Sequence, residues 1–342
     1  MCAALLALLA ASVPAAAEMA AAPAPASPAA PGAGAPAPGR MRLTVAGVGG
    51  SPRFALLGRR ISVGGVIAPY VAGQTVTVSF YLDARKVTVR SAAVLPSAHG
   101  TGGFRVEFTS HEGGLLQVGA AHEANAAQVA FSARAPSLRF VNPNVSPGAH
   151  GQSVRLMQAE LDALHYAVPL TGVFDEGTGR ALIAYRKMTG LERVPAAGTR
   201  VFELLARRAG GFRVRYRGDG RHVEADLTTQ VLAEIEAGGR VHEIYTMSSG
   251  KPSTPTVVGR FRVYEKTPGE NSEGMVDSNY FIRGYAIHGY AEVPTYAASH
   301  GCLRVPIPDA SAIYAWVQDG TPVDVYNADG AGSTVVRADA GP

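Results

Sequence analysis

The sequence contains very little cysteine and few aromatic residues. Its 342 residues include two cysteines, Cys2 and Cys302, and aromatic residues make up 7% of the chain. One possible pair excludes a disulfide-rich fold, and the low aromatic content indicates cores built mainly from aliphatic side chains. Dense runs of lysine and arginine are also absent, and the net charge is only +4. We therefore expect no nucleic-acid partner.

The N-terminus lacks basic residues before Arg40 but otherwise has the pattern of an export signal. A short apolar run at residues 5–9 precedes the small residues 15–17, which suit a signal peptidase. We interpret residues 1–17 as a signal peptide, with an uncleaved anchor as the alternative. Because the apolar run is too short to span a bilayer, we expect no stable membrane anchor. Removal of the signal would leave Cys302 as a single free thiol.

Two segments are predicted to lie outside folded domains. Residues 18–40 are rich in Ala and Pro and predict an extended linker, and residues 328–342 predict a loose tail. Between them, residues 41–141 contain segments such as GQTVTVSFYL, in which apolar and polar residues alternate. Several such strands separated by turn residues predict a small immunoglobulin-like β-sandwich.

Residues 149–209 change to a helical pattern. Three short helices are predicted, and Asp175 and Thr178 are the expected turn and cap residues of the second, which we expect to begin at Thr178. The V-x-x-M-Q-x-x-L helix, followed by a G-x-F-D-x-x-T turn, resembles the peptidoglycan-binding type 1 module of cell-wall enzymes. A generic helical bundle is the alternative interpretation.

From residue 212 to residue 327 the chain returns to strands. Residues 236–240, EAGGR, predict a hairpin turn, and a helix is expected at residues 309–320 before a closing strand. Asp309 is the expected cap of this helix, and Ile313 and Val317 are its expected core residues.

The segment SHGCLR places Cys302 near two histidines, His288 and His300. A cysteine nucleophile reacts as its thiolate, and a neighbouring imidazole can take up the thiol proton. His300 and Cys302 would lie on the same side of an extended segment. Gly301 can adopt a positive φ, and the backbone N–H groups of Gly301 and Cys302 could then face an oxyanion.

Cys302 has two other possible interpretations. Zinc could bind two histidines and a cysteine, but no further ligand follows at a recognisable spacing, so we expect no metal and no cofactor. A buried structural cysteine is common in proteins, but a Gly–Cys pair in a turn-rich segment with two histidines argues against it. The sequence therefore favours a reactive thiol.

Residues 212–327 resemble the L,D-transpeptidase (YkuD-like) catalytic domain. The segments that carry the resemblance occur in order: MSSGKPSTPTVVGRFRV, AIHG, SHGCLRV and DGTPVDV. The resemblance implies a β-rich domain with the cysteine in a cleft at its edge. The complete chain is then expected to be multidomain, with an immunoglobulin-like β-sandwich, a three-helix peptidoglycan-binding module and a β-rich catalytic domain.

The resemblance also implies roles for individual residues. Cys302 would be the nucleophile and His288 the proton donor and acceptor, with His300 supporting the loop and Gly301 supplying an oxyanion N–H. The expected substrate-binding residues are Arg304, Ser299 and Tyr285.

The implied function is peptidoglycan chemistry. A cysteine thioester formed on one stem peptide would be attacked by an amine of a neighbouring stem, which gives a 3→3 cross-link. The expected partners are peptidoglycan stem peptides and glycan, and the expected location is the cell wall or the periplasm. An L,D-carboxypeptidase of the same fold and a non-enzymatic wall-binding protein are the alternatives.

Overall fold

The computed structural model describes residues 35–327. The predicted signal peptide (1–17), the predicted tail (328–342) and most of the predicted linker (18–40) lie outside the described residues. Within residues 35–327, no helix combines the length and the apolarity needed to cross a membrane.

Strands in two sheets form the N-terminal part of the described chain. The strands are β1 (Arg40–Ala46), β2 (Phe54–Leu56), β3 (Arg60–Ala68), β4 (Thr75–Leu82), β5 (Arg85–Ala93), β6 (Leu95–Pro96), β7 (Gly102–Thr109), β8 (Gly114–His122), β9 (Phe131–Arg134) and β10 (Leu138–Val141). One sheet has the order β1-β3-β7-β6, and the other has the order β2-β10-β8-β4-β5 with β9 paired to β8. The sheets share one apolar core.

The period-two pattern of the sequence decides which side chains enter this core. In β4, Val76, Val78, Phe80 and Leu82 are all buried, as their alternation with polar residues predicts. Assignment of these two sheets to the immunoglobulin-like class stays a prediction.

Three helices follow: α1 (Gln152–Asp162), α2 (Glu176–Met188) and α3 (Thr199–Ala206). The side chain of Asp175 caps α2, because it accepts a hydrogen bond from the backbone N–H of Thr178 at 2.8 Å. The capping role of Asp175 is therefore confirmed, while α2 begins at Glu176, two residues before the expected start. Identification of these helices as a peptidoglycan-binding module stays a prediction.

The C-terminal part is built on two further sheets and one helix. Its elements are β11 (His222–Asp226), β12 (Val231–Ile235), β13 (Val241–Thr246), β14 (Gly259–Arg262), β15 (Glu265–Glu270), β16 (Val276–Ile282), β17 (Tyr285–Tyr290), β18 (Leu303–Pro306), α4 (Ile307–Trp316) and β19 (Pro322–Tyr326). The sheet orders are β13-β12-β11-β19-β14 and β15-β16-β17-β18. Both sheets and α4 contribute side chains to one core.

The start of α4 differs from the prediction. The helix begins at Ile307 and includes Pro308 in its first turn, where proline is tolerated because the N–H it lacks has no partner within the helix. Asp309 is therefore not the cap. Ile313 and Val317 are fully buried, as expected, but the helix ends at Trp316 rather than at residue 320, so Val317 lies just beyond it.

The three helices are fixed against the C-terminal sheets. They share an apolar core with side chains of β12 and β13, including Val231 and Ile244. Asp309 makes a two-pronged ion pair with Arg180 of α2, with Nε–oxygen distances of 3.0 and 3.1 Å. The orientation of α2 relative to α4 is thus set by packing and by a charge-assisted contact.

Candidate active site

Two neighbouring parallel strands bring His288 and Cys302 to the same face of a sheet. Strands β17 and β18 pair so that Ile287 lies beside Leu303 and His288 lies beside Arg304. The side chains of Ile287 and Leu303 enter the core, so alternate residues point to the opposite face. Cys302 directly precedes β18, and its sulfur lies beside Gly284 and Ala286 at the start of β17, where Ala286 is two residues from His288 on the same side of the strand.

The imidazole of His288 is buried and held by its own strand. The side chain is 2% exposed, and Nδ1 lies 2.9 Å from the carbonyl oxygen of Gly289. A carbonyl only accepts, so this contact assigns the proton to Nδ1 and leaves the lone pair on Nε2. Burial lowers the pKa of His288, and the positive charge of Arg304 lowers it further. The ring is therefore a neutral base with Nε2 available.

The Cys302 thiol is partly buried and protonated at rest. Burial raises its pKa, whereas a backbone hydrogen bond from Ala286 and the charge of Arg304 act in the opposite direction. The thiol donates a hydrogen bond to the carbonyl oxygen of Gly284 at 3.6 Å. The hydrogen bonds of residues 35–327 do not include a direct one between Cys302 and His288. The two groups therefore rest as a neutral thiol and a neutral imidazole on one face.

The turn before Cys302 is closed by the side chain of Ser299. Its hydroxyl donates to the carbonyl of Cys302 at 2.6 Å and accepts from the N–H of Gly301 at 3.0 Å. The Gly301 N–H is therefore engaged within the turn in this conformation. Its predicted role toward an oxyanion requires that hydrogen bond to open, and this role stays a prediction. Ser299 itself is buried and supports the turn.

Gly301 has the positive φ that the sequence suggested. Its φ is +128°, and a Cβ at this position would overlap the ring of Tyr285. Tyr285 thus covers the turn from the start of β17, and only glycine combines this backbone angle with this close approach. The predicted substrate contact of Tyr285 stays a prediction.

Arg304 carries a positive charge on the same face as His288. Its guanidinium carbon lies 3.9 Å from the ring centroid of Tyr290, and the His288 ring meets Tyr290 edge-on at 5.7 Å. Stacking on an aromatic ring orients a guanidinium while it keeps its hydrogen-bond donors available. The position is compatible with the predicted binding of a stem carboxylate.

His300 lies apart from the face that holds Cys302. Its side chain is exposed, and Nε2 lies 3.3 Å from the Nζ of Lys251. The chain bends at residues 300–302, so the extended arrangement that would align His300 with Cys302 does not form. The predicted supporting role of His300 stays a prediction, and its contact with Lys251 lies on the outer side of the loop.

The loop after β13 forms a cradle for this turn. Ser249 accepts hydrogen bonds from the N–H groups of Ala298 and Ser299, and the Thr256 hydroxyl donates to the carbonyl of Gly301 at 2.7 Å. Gln230 in turn holds Ser249, with contacts of 2.7 and 2.9 Å to its hydroxyl and its N–H. The motif that carried the resemblance, MSSGKPSTPTVV, therefore supplies the structural support of the SHGC turn.

Sequence reasoning missed Lys187, which reaches this cradle from α2. The side chain is 4% exposed, and Nζ donates to the carbonyls of Gln230 and Met247 and to the hydroxyl of Thr246, at 2.7–2.9 Å. Burial, together with the nearby charge of Arg193, lowers the pKa of Lys187 to about 7. A lysine in a short basic run usually indicates a solvated helix face, so the sequence held no signal for its burial.

A comparison with known families and structures identifies the C-terminal domain. Residues 220–325 match the model of the YkuD family, described as the L,D-transpeptidase catalytic domain. No curated protein sequence matches the chain.

Solved structures of L,D-transpeptidases are similar to the chain. The one from Xylanimonas cellulosilytica is 31% identical, with a TM-score of 0.49, over 54% of this chain and 98% of that one. The one from Stackebrandtia nassauensis is 22% identical, with a TM-score of 0.35, over 54% and 97%. A C442S variant from Enterococcus faecium is 27% identical, with a TM-score of 0.28, over 31% and 50%.

The matched residues 220–325 contain β11–β18, α4 and most of β19, and with them the face that holds His288 and Cys302. The chain therefore contains an L,D-transpeptidase catalytic domain of the YkuD family at residues 220–325.

Proposed function

We propose that the protein is a peptidoglycan L,D-transpeptidase that forms 3→3 cross-links through a thioester on Cys302. The observation that supports this most directly is the position of a neutral His288, with its Nε2 lone pair available, on the same face as the Cys302 thiol. A thiol becomes a competent nucleophile when a base takes its proton during attack. His288 is the base that this face offers.

The first step would be acylation of Cys302. The sulfur attacks the carbonyl before the terminal D-alanine of a tetrapeptide stem, and the thiol proton passes to His288 Nε2. The C–N bond then breaks, and the imidazolium returns the proton to the departing amine. The products are free D-alanine and a thioester between Cys302 and the stem.

The second step would be attack by an amine of a diamino acid on a neighbouring stem. His288 accepts the amine proton as the new amide bond forms and passes it to the leaving sulfur, which restores the thiol. Arg304 is positioned to pair with a carboxylate of the stem, with Tyr285 and Ser299 beside the turn. The negative oxygen formed in both steps would be stabilised by backbone N–H groups of the turn.

We further propose that the protein is exported to the cell wall or periplasm and binds glycan through its three helices. The signal-like N-terminus and the order of the helical motifs support this proposal. The fixed contact of the helices with the catalytic domain would then present wall-bound stems to the site in a constant orientation.

A single assay tests the function. Purified protein incubated with disaccharide-tetrapeptide muropeptides should yield cross-linked dimers and free D-alanine, scored by mass spectrometry. Tripeptide products without dimers would identify an L,D-carboxypeptidase instead. Neither product, with binding to purified sacculi retained, would identify a non-enzymatic wall-binding protein.

A further inference from the structure

A second cluster of chemically reactive side chains lies on the β12–β13 hairpin. Glu234 and Glu243 lie directly opposite each other on the two strands. The pairing shifts by one residue beside Glu234, which leaves His242 as the extra residue of a β-bulge. One ligand atom from each of Glu234, His242 and Glu243 lies within 4.8 Å of the other two. The bulge thus adds an imidazole to a facing pair of carboxylates.

The carboxylate of Glu234 has no partner in its present surroundings. The side chain is 1% exposed, and neither of its oxygens has a hydrogen-bond partner within residues 35–327. The positive charge of Arg221 offsets the burial of this carboxylate only in part. The Arg221 guanidinium lies over the ring of Trp316, 4.0 Å from its centroid. A buried carboxylate without hydrogen bonds is strongly unfavourable unless a proton or a cation neutralises it.

The ring of His242 is oriented from its outer side. It stacks on Trp316 at a centroid distance of 5.7 Å, and Nδ1 lies 3.3 Å from a carboxylate oxygen of Glu236. This contact places a carboxylate beside Nδ1, so Nε2 is the ring nitrogen that we infer is offered to a metal. Metal-binding histidines are commonly held in this way.

We propose that Glu234, His242 and Glu243 bind a divalent cation of the zinc class. An imidazole nitrogen with two carboxylates suits zinc, whereas magnesium and calcium prefer oxygen ligands throughout. A dication balances the charges of the two glutamates. Three protein ligands leave a fourth position for water.

Tetrahedral zinc binding requires only small movements of the His242 and Glu243 side chains. Atoms about 2.1 Å from a tetrahedral zinc lie roughly 3.4 Å from one another. Glu234 is fixed in the core, while His242 is exposed and Glu243 is partly exposed, so these two side chains close on it. The hydroxyl of Tyr245 donates a hydrogen bond to the Glu243 carboxylate at 2.5 Å and thereby orients this carboxylate. The cation joins β12 to β13 and is separate from the His288–Cys302 face, where the sequence predicts no metal.

Zinc binding is measured on the full chain by equilibrium dialysis with metal analysis of the protein. All variants carry Cys302→Ala, because a free thiol can bind zinc independently. We expect about one zinc per chain and an increase in melting temperature with added zinc. Cobalt in place of zinc should give the visible absorption of a tetrahedral nitrogen–oxygen site.

Glu234→Gln, which keeps the size of the side chain, should reduce the bound zinc to background and abolish the increase in melting temperature. His242→Ala, at an exposed position, gives the same test without disturbing the core. Glu265→Gln, an exposed carboxylate of the same domain, is the matched control and should bind zinc normally. Background zinc in the Cys302→Ala protein, or unchanged zinc in folded Glu234→Gln and His242→Ala proteins, would overturn the proposal.

Discussion

Lys187 of α2 donates a hydrogen bond to the backbone carbonyl of Gln230, which belongs to the catalytic domain, at 2.9 Å. The side chain of Gln230 holds Ser249, and Ser249 accepts the N–H of Ser299 in the turn that precedes Cys302. A continuous set of hydrogen bonds therefore connects a helix of the predicted wall-binding module to the turn that precedes Cys302. Through Lys187, the three helices support the candidate active site.

The first prediction concerns Lys187→Met. The substitution keeps an unbranched side chain but leaves three buried acceptors without their donor, at a cost of roughly 1–3 kcal/mol for each acceptor that stays unpaired. We expect a lower melting temperature and slower acylation of Cys302, because the Gln230–Ser249 support loosens. Thermal unfolding and the rate of carbapenem adduct formation, followed by mass spectrometry, measure the two effects.

Arg180→Met is the matched control for this prediction. It removes the ion pair with Asp309, which also joins α2 to the catalytic domain but does not touch Gln230. We expect it to destabilise the protein while acylation, measured well below the melting temperature, stays near the wild-type rate. Equal acylation rates in folded Lys187→Met and Arg180→Met would show that Lys187 contributes to stability alone.

The second prediction separates the two histidines of the motif. His288→Gln removes the buried base from the Cys302 face and should slow acylation by about 10²–10⁴-fold. His300→Gln changes an exposed side chain that faces Lys251 and should have a small effect. Cys302→Ala should form no adduct, and an adduct on another residue would contradict its role. Normal acylation in His288→Gln with loss in His300→Gln would reverse the assignment.

The third prediction concerns pH. Burial raises the pKa of Cys302 above its ordinary value of 9.0 and lowers the pKa of His288 below its ordinary value of 6.5. Between these values both groups are neutral, so general-base acylation should be independent of pH there and fall only below about pH 6.5 as His288 gains a proton. Alkylation by iodoacetamide, which reports the thiolate, should rise only at alkaline pH.

A different resting state would give a different profile. A thiolate–imidazolium pair would alkylate rapidly at pH 5–6, since the thiolate would already be present. Such rapid alkylation at acidic pH, absent in His288→Gln, would show that the pair rests in its charged form.

Local signals in the sequence were sufficient for several features. The cap of α2 was predictable because Asp175 and Thr178 are close in sequence, and the alternation in β4 was predictable because strand burial has a period of two. The motif around Cys302 also named His288, since the two segments belong to one recognisable signature. These features depend on neighbouring residues or on a pattern that one segment contains.

Features that depend on distant contacts were not predictable in this way. Asp309 looked like a helix cap, but Arg180, which is 129 residues away, takes its carboxylate. The burial of Lys187 was not predictable from its own helix, because its hydrogen-bond acceptors lie in β13 and in the turn before β12. The N–H of Gly301 was expected to face an oxyanion, but it donates a hydrogen bond to the hydroxyl of Ser299 within the turn.

The last prediction concerns the turn itself, through Gly301→Ala. Alanine at this position meets two penalties: a φ of +128°, which a side chain disfavours, and overlap of its Cβ with the Tyr285 ring. We expect loss of acylation and a lower melting temperature, because the turn must move to relieve both. In the double variant Gly301→Ala with Tyr285→Ala, the overlap is removed and the backbone penalty remains. The loss of stability caused by Gly301→Ala should therefore be smaller in the Tyr285→Ala protein than in the wild-type protein. If Gly301→Ala caused no loss of stability in the Tyr285→Ala protein, the positive φ at Gly301 would carry no cost. If the loss were the same in both proteins, overlap with the Tyr285 ring would not contribute to it.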